Sequence, residues 1–255
     1  MRAAFRRLVF VGGYLYVGCG LVLCMLLAHA TTALGWSQIR RQRCVGRAIS
    51  EMARGFVNGL RLGGALELDL QGIETLRKRR GVVIAANHPT FLDAIFLFSF
   101  AHPVFGIIKA GIFRNPLLGP SVRAAGYVTT DRPHRLVQEC CRRLRTGENL
   151  LVFPEGTRSA VGPLRRFKPG FALVAARAHA PVVTVHIESD NGRFLRKGSP
   201  IIDLGCPLPL RYRFHLGEEF TPREDEATAA FLARVETYFQ SVHGRPDDAT
   251  LPSAS

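Results

Sequence analysis

The chain has 255 residues, 47% of them apolar by a broad count, and a mean hydropathy of +0.10. So much apolar surface excludes a chain that is disordered throughout, and it suits one domain of ordinary size with a part that lies in lipid. The 34 Lys and Arg against 20 Asp and Glu give a formal charge of +14. This surplus indicates an anionic partner: nucleic acid, an anionic membrane surface or a phosphorylated substrate. The six cysteines include no CxxC pair, so we expect reduced thiols and no structural zinc site.

The N-terminal segment differs from the rest because residues 8–28 contain no charged side chain over 21 positions. As a helix, this run would be about 31 Å long, close to the hydrocarbon thickness of a bilayer. Basic residues and one tryptophan, which suit the two ends of an embedded helix, flank it: Arg2, Arg6, Arg7, Trp36, Arg40, Arg41 and Arg43. We therefore predict a membrane helix here.

This run has two other interpretations. A cleaved signal peptide would have a shorter apolar core, although residues 28–30 (Ala-His-Ala) offer a loose cleavage site. A buried helix of a soluble protein would carry some charge over this length. We favour a retained membrane helix that either spans the bilayer or lies shallowly in it. Four glycines would permit close packing of this helix: Gly12, Gly13, Gly18 and Gly20.

Residues 37–64 form a basic amphipathic segment, in which apolar residues recur at near-helical spacing with arginines between them. Such a helix can pack on a soluble domain with a solvated basic face, or it can lie on anionic headgroups. The two interpretations are compatible. Residues 1–64 are therefore predicted to comprise a membrane anchor and a basic amphipathic helix.

From residue 65 onwards, short apolar runs alternate with helical patterns. In chain order, the predicted elements are strand 66–70, strand 81–87, helix 91–100, strands 105–108 and 125–129, helix 135–145, strand 150–153, helix 169–179, strand 181–187, edge strands 201–204 and 212–214, and helix 224–242 with an acidic first turn. We expect an α/β fold, with a central mixed sheet flanked by helices, over residues 65–243. Residues 244–255 are polar and are predicted to be a flexible tail.

The first candidate site is the segment Asn-His-Pro-Thr-Phe-Leu-Asp, residues 87–93. A buried strand ends at Asn87, so His88 follows at the carboxyl edge of a sheet, where α/β active sites usually open. Asp93 lies five residues later, near the start of a helix, from where its carboxylate could reach Nδ1 of His88. Taken alone, the pattern also fits a helix cap with an acidic first turn.

The second candidate site is Phe-Pro-Glu-Gly-Thr-Arg-Ser, residues 153–159, where another buried strand runs into a turn. Gly156 lets backbone N–H groups approach a ligand, and Arg158 carries a guanidinium group suited to phosphate. Arg165, Arg166 and Lys168 follow and make the loop strongly basic. A plain solvated turn is the other interpretation. Packing alone, however, does not explain why a buried strand is followed by Glu, Gly, Thr and Arg.

Together, the two segments resemble the glycerophospholipid acyltransferase family, typified by 1-acylglycerol-3-phosphate acyltransferases. The family's hallmark is a His-x4-Asp block followed about 60 residues later by the FPEGTRS block, and both are present here in order. Further similar stretches occur at 109–119, 126–132, 167–170 and 180–183, so the resemblance covers roughly residues 65–215. The chain differs at Thr129 and Thr130, where many members carry apolar residues.

The resemblance implies transfer of a fatty acyl group from a thioester to a hydroxyl, with His88 as the general base and Asp93 as the residue that orients it. It implies that the substrate-binding residues are Arg132, Glu155, Gly156, Thr157, Arg158 and Lys168, around the glycerol and phosphate of the acceptor, and Pro181 on the acyl-donor side. It implies no metal and no tightly bound cofactor, with acyl-CoA or acyl-carrier protein as the thioester donor.

We therefore expect a lysophospholipid acyltransferase of the inner (cytoplasmic) membrane, its catalytic domain facing the cytoplasm. The simplest acceptor is 1-acyl-sn-glycerol 3-phosphate, which would give phosphatidate; another lysolipid, such as a lyso-aminolipid, is the alternative. A nucleic-acid-binding protein is disfavoured because no recognised module and no interleaved aromatic residues accompany the arginines. A non-catalytic membrane scaffold on the same fold is disfavoured because His88 and Asp93 are both present.

Overall fold

The computed structural model describes residues 2–131, 133–159, 164–191, 194–196, 198–199 and 205–243. Its strands are β1 (Leu66–Gln71), β2 (Val83–Ala86), β3 (Val104–Ile108), β4 (Val128–Thr129), β5 (Asn149–Val152), β6 (Val182–Ser189) and β7 (Leu210–Phe220). Its α-helices are α1 (Arg2–Ala33), α2 (Gln38–Leu62), α3 (Asp93–Phe100), α4 (Ala110–Arg114), α5 (Gly119–Ala124), α6 (Pro133–Arg145), α7 (Gly170–Ala178) and α8 (Thr228–Val242). A short 3-10 helix, Ile73–Lys78, follows β1.

The strands form one seven-stranded sheet in the order β1-β7-β6-β2-β5-β3-β4. All neighbouring pairs are parallel except β6 and β7, so β1 and β7 run against the other five. The expected α/β fold with a mixed sheet is therefore confirmed. The five co-directional strands end at one edge of the sheet, which we call the carboxyl edge, and in folds of this kind ligands bind at such an edge.

Side chains of the central strands are buried on both faces of the sheet. In β2, Val83 and Ala85 pack in an apolar cluster with residues of α6, α7 and α8, whereas Ile84 and Ala86 pack in a second cluster with residues of α2 and α3. This explains why the strand is a continuous apolar run rather than an alternating one.

Helix α2 packs on the domain through one face and exposes the basic residues of the other. Ser37 caps its first turn by accepting a hydrogen bond from the N–H of Arg40. Val45 lies in one apolar cluster, and Phe56 and Leu60 lie in the other. The packed interpretation of this segment is therefore confirmed, and its exposed arginines leave the headgroup interpretation open.

Helix α1 is, within the described residues, the one helix long and apolar enough to cross a membrane. Large apolar side chains along it are exposed, among them Leu8, Leu15 and Leu23 at 65–68%. It packs against α2, and of its four glycines only two face that helix: a Cβ on Gly13 would meet Phe56 and Leu60, and a Cβ on Gly20 would meet Met52. Gly12 and Gly18 have no heavy atom within 4 Å of such a Cβ.

The prediction of an edge strand at 212–214 was wrong. Strand β7 has 11 residues and lies inside the sheet between β1 and β6. The strand carries arginines at alternate positions, Arg211 and Arg213. In the structure they pair with acids on the neighbouring strands, Arg211 with Glu67 at 2.8 Å and Arg213 with Glu188 at 2.9 Å.

Other differences are smaller. Helix α8 begins at Thr228 rather than at 224, and its first turn therefore contains no acid. Glu226 lies ahead of the helix, where its carboxylate binds Arg234 and accepts the N–H of Arg223. The strand predicted at 125–129 is reduced to the two residues of β4, and the short helices α4 and α5 were not predicted. The strand predicted at 201–204 and the tail at 244–255 lie outside the described residues.

The two adjacent glycines of α1 provide a test of its packing on α2. We expect Gly13→Leu to lower the free energy of unfolding by about 1–3 kcal/mol, because its Cβ already lies 3.0 Å from Phe56 and Leu60. Gly12→Leu, the matched control, faces open space and should not be destabilising. Thermal unfolding in detergent would measure both, and equal stability of the two variants would contradict this packing.

Candidate active site

The first part of the site is built where β2 ends. The Asn87 side chain ties this end to β6, because its Nδ2 donates to the carbonyl of Ile187 at 2.8 Å and its Oδ1 accepts the N–H of Ile187 at 2.7 Å. The chain then turns away from the sheet through residues 88–92 and enters α3 at Asp93. His88 is therefore held at the carboxyl edge, as predicted.

His88 and Asp93 contact each other directly. Nδ1 of His88 lies 2.9 Å from Oδ2 of Asp93, and the His88 side chain is 17% exposed whereas that of Asp93 is fully buried. The His88 ring stacks on Phe153 of the second loop, with the ring centroids 3.9 Å apart. With Nδ1–H bound to the carboxylate, Nε2 is left as the basic nitrogen.

Thr90 completes the hydrogen bonding of the buried carboxylate. Its N–H donates to Oδ2 of Asp93 at 2.7 Å, and its hydroxyl donates to Oδ1 at 2.6 Å. Burial raises the pKa of Asp93, and the hydrogen bonds from His88 and Thr90 oppose that rise because they stabilise the charged form. The local sequence thus supplies the donors that a buried carboxylate requires.

The second loop, residues 153–159, is joined to the first through Ser159. The Ser159 N–H donates to the carbonyl of His88 at 2.7 Å, and its hydroxyl oxygen accepts the N–H of His88 at 3.1 Å. The same hydroxyl donates to Oε1 of Glu155. Because β2 and β5 are neighbours in the sheet, these bonds hold the two predicted segments side by side.

Glu155 points into the protein rather than into the open site. It is 4% exposed, and its carboxylate accepts hydrogen bonds from the Ser159 hydroxyl and from the N–H of Arg165 at 3.3 Å. In this arrangement, Glu155 shapes the loop, and both of its oxygens have protein partners.

The cations of the second loop occupy different positions. Gly156 has a φ of +67°, and a Cβ there would lie 2.5 Å from Cε of Lys168, so the exposed Lys168 side chain passes over the Gly156 backbone. Nη1 of Arg158 donates to the carbonyls of Leu195 at 3.5 Å and Arg196 at 2.9 Å. Thr157 is half-buried between Gly156 and Arg158.

One predicted site residue, Pro181, lies away from this position, and another, Arg132, is outside the described residues. Pro181 immediately precedes β6, next to the start of β2, where its carbonyl accepts the N–H of Val83. It lies roughly 13 Å before the end of β2, at the opposite edge of the sheet. The structure therefore does not bring Pro181 to His88. Arg132 lies outside the described residues, so its prediction is not addressed.

Thr90 and Ser159 were not assigned roles from the sequence, although both lie inside the segments that were singled out. Thr90 is fully buried and Ser159 is 4% exposed. Their position in the sequence could have indicated these roles. A small hydroxyl residue between a buried strand and a helix often forms hydrogen bonds with nearby backbone or acidic groups.

The Ser159 link can be tested by its effect on stability. We expect Ser159→Ala to lower the free energy of unfolding by about 1–3 kcal/mol, because it leaves the buried Glu155 carboxylate and the His88 N–H without this partner. Ser121→Ala is the matched control, since Ser121 is also buried but its hydroxyl has no hydrogen-bond partner in the described part of the chain. Denaturant unfolding measures both; equal losses would argue against the link.

Comparison with known proteins places this geometry in context. Residues 67–188 match the family model described as Acyltransferase. The chain is 34% identical over 137 residues to 1-acyl-sn-glycerol-3-phosphate acyltransferase BAT2, chloroplastic, of Brassica napus, a match that covers 51% of this chain and 40% of that protein. It spans about half or less of the length of the plant relatives that it matches.

A bacterial relative matches over more of its length. The chain is 32% identical over 196 residues to a 1-acyl-sn-glycerol-3-phosphate acyltransferase of Neisseria meningitidis serogroup B, and the match covers 74% of each protein. Its fold is similar to that of the crystal structure of the 1-acyl-sn-glycerophosphate (LPA) acyltransferase PlsC from Thermotoga maritima, with a TM-score of 0.67, 20% identity, and coverage of 96% of this chain and 99% of that one. With the paired motifs at one edge of the sheet, these matches show that the chain belongs to the 1-acyl-sn-glycerol-3-phosphate acyltransferase family.

Proposed function

We propose that this protein transfers a fatty acyl group from an acyl thioester to the free hydroxyl of 1-acyl-sn-glycerol 3-phosphate, giving phosphatidate for phospholipid synthesis. The observation that carries the proposal is the 2.9 Å contact between His88 and the buried Asp93, at a carboxyl edge that also bears Lys168 and Arg158, in a chain of this family.

In this mechanism, His88 is the general base and Asp93 orients it. As the acceptor hydroxyl attacks the thioester carbonyl, its proton passes to Nε2 of His88, and the Asp93 carboxylate stabilises the imidazolium that forms. The ester C–O bond forms, the C–S bond breaks, and the imidazolium returns the proton to the departing thiolate. The step needs no acyl-enzyme intermediate and therefore no nucleophilic serine or cysteine.

The acceptor phosphate is assigned to the second loop. Lys168 is exposed over the Gly156 backbone, where its ammonium group can meet a phosphate beside Thr157. Arg158 uses Nη1 to bind the carbonyls of residues 195–196, so it both fixes the loop and offers its other N–H groups. Gly156 keeps the backbone close to the ligand, and Glu155 supports the loop from inside.

The setting that we propose is the inner membrane, with α1 in the lipid and the catalytic domain on the cytoplasmic side. The exposed apolar side chains of α1 and the basic face of α2 support contact with membrane lipids. The free cysteines of the described chain suit a reducing compartment. The thioester donor is acyl-CoA or acyl-carrier protein, and no metal or bound cofactor takes part in the proposed step.

The role of the histidine is tested by comparing two histidines at opposite edges of the sheet. His88→Asn should lower the rate of acyl transfer per folded molecule by about 10²–10⁴-fold, because it removes the base. His179→Asn is the matched control: His179 is exposed just before Pro181 and has a φ of +51°, which asparagine tolerates.

The assay uses purified protein, lysophosphatidate or another lysolipid as acceptor, and both classes of donor. Near-normal transfer by His88→Asn would reject the catalytic assignment. Transfer to a lyso-aminolipid but not to lysophosphatidate would identify a different acceptor.

Phosphate binding is tested at Lys168. We expect Lys168→Met to raise the KM for lysophosphatidate by roughly tenfold, through loss of a charge-assisted contact, while kcat and the donor KM stay close to wild type. Arg166→Met removes the same charge two residues away, in a groove against α8, and should leave both KM values unchanged. A raised donor KM instead would assign Lys168 to the thioester.

A further inference from the structure

A tyrosine of β7, which lies two strands away from β2 in the sheet, lies behind the His88–Asp93 pair. Tyr212 is near the start of β7, where it is the antiparallel partner of Ser189, the last residue of β6. Since β6 ends at the carboxyl edge, this pairing places Tyr212 at the same edge as His88. Its side chain is 2% exposed, and its ring packs edge-on against Phe96 of α3, with the centroids 4.8 Å apart.

The Tyr212 hydroxyl contacts the group that holds Asp93. It lies 2.9 Å from Oγ1 of Thr90, and Thr90 Oγ1 lies 2.6 Å from Oδ1 of Asp93. A continuous line of two hydrogen bonds therefore runs from Tyr212 through Thr90 to the carboxylate.

The direction of these hydrogen bonds follows from counting hydrogens. A hydroxyl has one hydrogen, and the Thr90 hydroxyl gives its hydrogen to the carboxylate, which can only accept. Thr90 Oγ1 must therefore accept from Tyr212, so the phenol is the donor. Burial and the nearby Asp93 carboxylate raise the pKa of Tyr212, which keeps that hydrogen in place. Each donor points towards Asp93. Successive hydrogen bonds in such a chain strengthen one another where the dielectric constant is low.

We propose that Tyr212 is a positioning residue of the acyl-transfer site, which acts through Thr90 to hold the Asp93 carboxylate in its hydrogen bond with His88. Tyr212 does not touch substrate. It makes Thr90 a better donor and ties α3, which carries Asp93, to strands β6 and β7. This inference rests on the proposed function, because it assigns a kinetic role within that reaction.

The main test is Tyr212→Phe, which removes the hydroxyl and keeps the ring contacts. We expect kcat for transfer to lysophosphatidate to fall by about five- to tenfold, with both KM values within twofold of wild type. Tyr238→Phe is the matched control, since its hydroxyl also bonds to β7, accepting the N–H of Glu218 at 3.1 Å, away from Asp93. That variant should keep the wild-type kcat.

A double-mutant cycle distinguishes positioning from general stabilisation. Thr90→Val cuts the same line of hydrogen bonds one step closer to Asp93, so Tyr212→Phe should have no further effect on kcat in that background. If Tyr212 served only the packing of the fold, its effect on kcat per folded molecule would be absent, or would multiply with that of Thr90→Val.

A second pair of variants keeps the inference testable if Tyr212→Phe does not fold. Thr90→Ser retains the hydroxyl and should keep kcat within about twofold, whereas Thr90→Val should lose at least as much as Tyr212→Phe. A wild-type kcat in Thr90→Val would overturn the inference, because Tyr212 would then have no route to Asp93.

The outcomes also separate this inference from the proposed function. Wild-type protein that transfers no acyl group to lysophosphatidate, or His88→Asn that is fully active, would reject the proposed function. An active wild type, an inactive His88→Asn and a Tyr212→Phe variant with wild-type kcat would reject the role of Tyr212 alone.

Discussion

The site depends on a buried carboxylate. Asp93 is fully removed from solvent, a position that is costly for a charge unless donors surround it. His88 supplies one donor and Thr90 supplies two, so the interaction that makes the charge tolerable also orients the histidine. Stability of the carboxylate and basicity of Nε2 are thus two consequences of one set of hydrogen bonds.

The rest of the carboxyl edge is arranged around this pair. Ser159 bonds to both backbone groups of His88 and to Glu155, so the loops after β2 and β5 behave as one unit. Asp93 and Glu155 are turned inward, whereas Lys168 stays outside over the backbone of Gly156. The proposed anionic acceptor would therefore meet a positive charge although these two carboxylates lie just below it.

Helices α1 and α2, the N-terminal segment predicted to contact the membrane, pack directly on the rest of the protein. Helix α2 contributes Phe56 and Leu60 to the apolar cluster that also contains Phe96 of α3, the helix that begins at Asp93. Gly13 lets α1 approach α2 closely. Helices α1, α2 and α3 are consequently in contact in series. With α1 in the lipid, as proposed, this series would hold the site near the membrane.

The sequence by itself determined most of the elements and the two motifs. Continuous apolar runs identified the buried strands, and the residues after them located His88, Asp93 and the second loop, because local pattern and chain direction suffice for both. The tertiary structure decided which residues meet. Strand pairing placed Pro181 at the opposite edge of the sheet from His88, and it put β7 inside the sheet although an edge strand was predicted there. Tyr212 lies 122 residues from Thr90, and only the antiparallel register of β7 on β6 brings their hydroxyls together. Such contacts depend on how strands are ordered, and the order of strands is a property of the whole sheet rather than of any segment.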